Sequence, residues 1–261
     1  MKFVQRIIRA ALTCAILSAA LVGANAWADL TAEQADSLQE KAASGDKAAL
    51  EKLMAEGRSG NKYAQYELGA LYDAGTGVTQ DHGQAAQWYR KAAEQGHARA
   101  QYSLGVSCER GEGVAQDYLQ AAQWYRKAAE QGEASAQYNL GLFYKKGQGV
   151  AQDYGQAVLW YRKAAEQGHA FALSNLGVLH DSGQGVPQSK VVAYALYSLS
   201  AELDPSDGNR ASNNRSLLTR EMTKQEIRAG QALARQMMKS ESLRPLDQYL
   251  AKSATNVPSR K

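Results

Sequence analysis

Residues Asn61–Gly96, His97–Gly132 and Glu133–Gly168 form three nearly identical 36-residue blocks, each closing on WYRKAAEQG. A fourth, diverged copy covers His169–Asp204. A fixed period of this length marks units that stack side by side, because one unit alone cannot bury its apolar face. Most residues of such a chain serve the stack, and what remains is a surface. The first three blocks agree at 21 of 36 positions, so framework and freely varying positions can be told apart within the one chain.

Each block reads as two helices. In the first, Ala64, Leu68 and Tyr72 recur at four-residue steps along one helical face. Gly75 and Gly77 then punctuate a turn, since glycine past a helix end takes the left-handed conformation without cost. Asp81 with Gln84 reads as an N-cap and capping-box partner, repeated at Asp117/Gln120 and Asp153/Gln156. Ala85, Trp88, Tyr89, Ala92 and Ala93 give the second helix its apolar stripe, and Gly96 closes it. Gly69, Gly105, Gly141 and Gly177 fall midway through the first helix, where glycine costs about 1 kcal/mol relative to alanine. Close helix approach over an aromatic such as Trp88 or Tyr89 is the expected compensation.

The flanks divide as follows. Residues 1–28 carry Lys2, Arg6 and Arg9, an apolar run from Ala10 to Val22 and an Ala26-Trp27-Ala28 site, the order of a secretory signal peptide. Cys14 is poorly placed for lipoprotein processing, so no lipid anchor is expected. Residues 29–60 read as N-terminal capping helices or a partial repeat, with a short helix from Asp46 to Met54. Block four has a less polar second helix, VVAYALYSLSA from Val191. Something must therefore cover it, and capping helices over 205–240 are expected to do so, the second opening at Thr223 with Glu226. Pro245, Pro258 and sparse apolar residues suggest a mobile tail over 241–261.

Without residues 1–28 the net charge falls from +4 to +1. Residues 29–204 hold 16 Lys/Arg against 21 Asp/Glu, whereas 205–261 hold 11 against 5. A solvated basic tail is the plain reading of that asymmetry; contact with an anionic surface, lipid headgroups or a polyanion, is the sharper one. Tyr249 is the lone aromatic of this region, which argues against nucleic acid. Only Cys108 would survive processing, so no internal disulfide is expected; a buried, inert thiol is the plain reading and a reactive or pairing thiol the alternative. Nor is a transmembrane segment expected, the apolar run of 1–28 being too short to span.

The run AQYELGALYDAGTGV…QD…AAQWYRKAAEQG, Ala64 to Gly96, resembles the Sel-1-like repeat family, relatives of the tetratricopeptide repeats. MTKQEIRAGQALARQ from Met222 resembles the closing helix of bacterial members. The resemblance implies an all-α fold, a right-handed α–α solenoid of stacked helix pairs. It also implies a scaffold or adaptor role, in several members within the bacterial envelope. One branch with a cysteine pair per repeat is linked to penicillin binding and β-lactam hydrolysis; this chain lacks those pairs.

The copies differ in the first helix at the third, seventh, tenth and fourteenth positions, steps of four, three and four that share one helical face. In block one these are Tyr63, Glu67, Ala70 and Ala74; in block two Arg99, Ser103, Val106 and Arg110. Block three has Ser135, Asn139, Leu142 and Lys146, and block four Phe171, Asn175, Val178 and Ser182. By the resemblance this face lines the concave side, a groove roughly 30–40 Å long with layers about 10 Å apart. About ten residues of extended peptide would fit. Tyr63 and Phe171 would anchor apolar groups, and Arg99, Arg110 and Lys146 would favour acidic ones.

No catalytic constellation is legible. His82, His97, His169 and His180 have no HExxH or His-x₃-His spacing, and no GxSxG or SxxK is present. No metal or cofactor is expected. The expectation is a non-enzymatic, exported scaffold, periplasmic or released, that binds a protein or peptide. The alternative is an envelope enzyme acting on β-lactam or peptidoglycan substrates, by analogy with the cysteine-rich branch.

Overall fold

The computed structural model describes residues 30–206 and 208–255, so the signal segment expected over 1–28 lies outside the described residues. These contain thirteen helices and no strand. The chain divides into two compact units, which among the described residues comprise 30–152 and 153–255.

The first unit holds α1 Ala32–Ala43, α2 Lys47–Ser59, α3 Lys62–Ala74, α4 His82–Glu94, α5 Ala98–Arg110, α6 Tyr118–Glu130 and α7 Ala134–Lys146. Each helix packs on the next in chain order. Asp81 and Asp117 accept from the Gln84 and Gln120 N–H groups, capping α4 and α6 as their spacing predicts. Gly75, Gly111 and Gly147 close α3, α5 and α7 in the left-handed conformation. The second glycine of the turn has a further duty. At Gly113, φ is +71°, and an added Cβ would fall on the His82 carbonyl at the start of α4, so the turn presses on the preceding repeat. Gln116 donates to Glu109 O at 2.8 Å and braces the same loop.

The mid-helix glycines receive tyrosine rather than tryptophan. A Cβ on Gly69 would stand 2.5 Å from the Tyr89 ring, and one on Gly105 2.7 Å from Tyr125. Trp88 instead lies over Gly57 of α2, with Lys91 Nζ 4.2 Å from its ring centroid; Lys127 covers Trp124 likewise at 4.1 Å. Thus the Trp and Lys of WYRKAAEQG form a cation–π pair along one helix. Helix α2 runs on to Ser59, past the Asp46–Met54 helix expected from sequence, and Gly57 lies in this added stretch. Its missing side chain makes room for Leu68 and Trp88, and the cluster of Leu30, Ala35, Leu53, Leu68 and Leu71 holds α1 and α2 against α3.

Two glutamines per repeat tie neighbouring repeats together. Gln101 is buried and donates to Ala93 O at 3.0 Å, while its Oε1 accepts from Gln131 Nε2 at 2.7 Å. Gln65 repeats the pattern with Gly57 O and Gln95. Block four carries Leu173 and Leu203 at these two positions, so the polar ladder is exchanged as a pair.

The second unit holds α8 Tyr154–Glu166, α9 Ala170–Ser182, α10 Lys190–Leu203, α11 Ala211–Thr219, α12 Lys224–Ser240 and α13 Arg244–Thr255. Val191 to Tyr197 of α10 are all buried, and both α11 and α12 pack against this helix. The cover expected from its apolar face is therefore present. Gly230 lets α12 approach Tyr194, whose ring lies 2.7 Å from where a Cβ would be. Buried Asn209 fastens the entry to α11 by donating to Ser200 O and Asp204 O. Thr223 and Glu226 form the reciprocal capping box at the start of α12.

The stretch expected as a mobile tail is helical over Arg244–Thr255. Pro245 is its second residue, in the first turn, where an N–H has no intrahelical acceptor to lose. Leu243 and Leu246 are buried, and Arg162 Nη2 on α8 reaches both carboxylate oxygens of Asp247 at 2.6 and 2.8 Å.

Replacing Gly105 by Leu should overpack the Tyr125 contact and lower unfolding free energy by about 1–3 kcal/mol or more in a urea titration. Gln101→Leu alone should cost roughly 0.5–1.5 kcal/mol, the net worth of its hydrogen bonds, because the Ala93 carbonyl keeps the Gly96 N–H and exposed Gln131 keeps Lys127 O. The Gln101→Leu/Gln131→Leu double variant should lose clearly less than the sum of the two singles, since block four uses the apolar pair.

Candidate partner-binding face

The four variable columns of the first helices do not share one environment. In the first unit the outermost positions are open: Arg99 at the third, and Ala74, Arg110 and Lys146 at the fourteenth, are exposed. Arg110 makes only a long 3.7 Å pair with Glu112. At the tenth position Ala70, Val106 and Leu142 are half-buried and form an apolar strip between these polar ends. Ser135 is also half-buried, as is Tyr63, whose ring meets His97 edge-on at 5.5 Å.

The seventh position is structural. Tyr89 and Tyr125, laid on glycine, carry their hydroxyls toward this column: Ser103 is a polar neighbour of Tyr89, and Asn139 of Tyr102 and Tyr125. Tyr125 also donates to Glu109 Oε2 at 2.5 Å. Any small polar group meets the need, so the position varies among copies without being free.

Glu67 departs furthest from the expected open groove residue. It is only 8% exposed, and its carboxyl hydrogen-bonds with that of Asp36 on α1. Burial first, then that bond and the Asp36 charge, push its pKa up to about 8. It lies beside a pocket of about 370 Å³ lined also by Asp36, Tyr63, Tyr66, His97 and Arg99. His97 is the N-cap of α5. Its Nδ1 accepts from Ala100 N–H at 3.2 Å, and Tyr66 stacks on its ring at 4.7 Å. Burial, followed by the charges of Lys62 and Arg99, lowers its pKa to about 4. The ring is therefore a neutral hydrogen-bond acceptor at pH 7.

In the second unit Phe171 is 38% exposed. Asn175 donates to Phe171 O one turn back, and Ser182 to Val178 O. Val178, expected in the groove, packs instead against the cluster of Tyr194, Tyr197, Leu218 and Met222 under the capping helices. Its column is free only where no cap covers it.

The remaining histidines have local duties: His82 Nδ1 lies 2.9 Å from Asp73, His169 caps α9, and His180 is buried against Pro187 O. Cys108 is buried, and burial raises its thiol pKa. Among the described residues no group of three or more His, Cys, Asp or Glu could hold a metal ion, and no helix is long and apolar enough to cross a membrane.

The two perturbed groups titrate in opposite senses. Between about pH 4 and 6.5 the unfolded chain protonates His97 and the folded chain does not, so this group's stabilisation is lost as pH falls. Between about pH 4.5 and 8 the folded chain alone keeps the Glu67 proton, so that contribution is lost as pH rises. His97→Asn, which installs the uncharged cap used by Asn61, should flatten the acid limb of a stability–pH profile. Glu67→Gln should stabilise more at pH 8 than at pH 5, each unit of displaced pKa being worth about 1.4 kcal/mol. Equal effects at both pH values would contradict this assignment.

A family model, the Sel1 repeat, matches residues 62–97, 98–133, 134–169 and 170–205, each one residue later than the blocks counted from sequence. No curated protein matches the chain. A Sel1 repeat protein from Oxalobacter formigenes is similar in structure, with 39% identity, coverage of 71% of this chain and 74% of that one, and a TM-score of 0.63. The c5321 protein, a protective antigen of uropathogenic Escherichia coli strains with an SLR fold, is 32% identical over 76% of this chain, with a TM-score of 0.62. This chain spans 40% of the c5321 chain's length. Sel1 repeat proteins generally act in protein–protein interaction. Four consecutive repeat matches and two such neighbours establish that the chain belongs to the Sel1 repeat family, with an all-α solenoid fold.

Proposed function

We propose that this chain is a non-enzymatic adaptor of the bacterial cell envelope that holds an extended segment of a partner protein. In the first unit the segment would lie against the face shared by α3, α5 and α7. The observation that carries this reading is the division of that face. Ala70, Val106 and Leu142 form a half-buried apolar strip, and the exposed cations Arg99, Arg110 and Lys146 flank it. An apolar strip with a charged rim is the makeup of a peptide-binding surface. Three layers about 10 Å apart span roughly 20 Å, enough for about six extended residues. The cations favour an acidic segment. The family's general role in protein interaction supports the reading, and the basic–apolar–AWA order of residues 1–28 supports export to the periplasm.

Arg99, Arg110 and Lys146 are exposed, so reversing all three to Glu should leave the unfolding midpoint nearly unchanged. In a crosslinking pull-down from envelope extract, the reversed variant should lose the captured partner, with affinity lowered about tenfold or more. Undiminished capture would remove the groove from consideration. Turnover of a chromogenic β-lactam by the purified protein would instead make it an enzyme.

A further inference from the structure

The basic excess of residues 205–261 has a definite place once the capping helices are folded. At 100° per residue, Lys224, Arg228, Gln231, Arg235, Met238 and Lys239 of α12 fall within about 100° of arc. All six are exposed, Met238 at 40%. The opposite side of the helix carries Gly230, Leu233, Ala234 and Met237, which are buried. From Lys224 to Lys239 is about 22 Å of helix. No acidic residue interrupts the stripe: Glu226 is turned back to its own N-cap, Thr223. Among the described residues, none of the four cations forms an ion pair.

We propose that this stripe is a docking surface for an anionic lipid bilayer. Four like charges on one unrelieved ridge repel each other, and a plane of headgroup phosphates removes that repulsion along the whole length. Cations one or two turns apart each reach a different headgroup, and the Met238 thioether between them can enter the interface. The ridge is a bare helix surface, which asks for a flat partner rather than a shaped one. Nucleic acid would need stacking platforms, and Tyr249, the lone aromatic of 205–261, is half-buried in α13. Residues 29–204 hold 21 acidic against 16 basic side chains, a net charge that disfavours the same surface. This role is independent of the peptide-binding face.

The test is flotation of the full chain, purified as the expressing cell delivers it, with phosphatidylcholine vesicles in which about 30% of the lipid is phosphatidylglycerol. Phosphatidylcholine alone is the comparator, at low and high salt. Binding should require the anionic lipid and vanish at about 0.5 M salt. Arg228→Gln/Arg235→Gln should weaken partitioning about thirtyfold, at about fivefold per charge. Lys52→Gln/Arg58→Gln, which removes two exposed charges from α2, should leave it within about twofold. Equal loss in both double variants would reduce the effect to net charge and overturn the proposal, as would equal binding to both vesicle types. Binding of poly-glutamate through Arg228 and Arg235 without vesicle binding would reassign the stripe to an acidic protein and overturn it too.

Discussion

Within a repeat, a tyrosine ring of the second helix rests directly on a glycine of the first, and the rest of the repeat is arranged around that contact. Gly69 with Tyr89, Gly105 with Tyr125 and Gly177 with Tyr197 are the instances. Glycine in a helix costs about 1 kcal/mol, and burying a large ring returns about 1.5–3 kcal/mol, so the exchange is favourable. In the first unit the phenol also meets a polar neighbour on the next repeat's first helix, Ser103 for Tyr89 and Asn139 for Tyr125. The packing of the core thus reserves one column of the outward face, and only the columns beside it are open for recognition.

The second constraint is polar and links one repeat to the next. Each buried glutamine both donates to a helix-end carbonyl and accepts from the glutamine that closes its own repeat. A side chain with one donor and one acceptor end suits such a ladder; an alanine or a carboxylate could satisfy only part of it. The ladder stops where the stack must end. In block four both glutamines become leucine, and α10 turns apolar on the face that α11 and α12 cover. The same covering removes Val178 from the surface, so within the second unit the cap leaves that column closed.

Local electrostatics mark the start of the first unit. Around Glu67, Asp36 and His97, two carboxyls share a hydrogen bond beside an uncharged imidazole in a half-enclosed pocket. Burial leads both deviations; Asp36 of α1 adds to it at Glu67, whereas Tyr63 and Tyr66 of α3 pack on His97. The helix that caps the stack therefore also tunes Glu67, the seventh position of the first repeat.

Period, helix pairs, caps and the apolar stripe were legible because each rests on local chemistry: spacing of apolar residues, an Asp before a helix, a glycine after one. Legible too were the exposed Arg99, Arg110 and Lys146, since cations at varying positions have little reason to be buried. What repetition could not reveal is which varying positions are bonded. Glu67 and Val178 look as free as Arg99 until α1 and the capping helices are placed against them. Pro245 reads as a stop until its position in a first turn is known, and the basic residues of α12 become a stripe only when its apolar side is docked. Sequence alone determined the fold, because periodic burial needs no long-range information. Tertiary structure alone decided which face is exposed, because exposure depends on neighbours that lie tens of residues away in the chain.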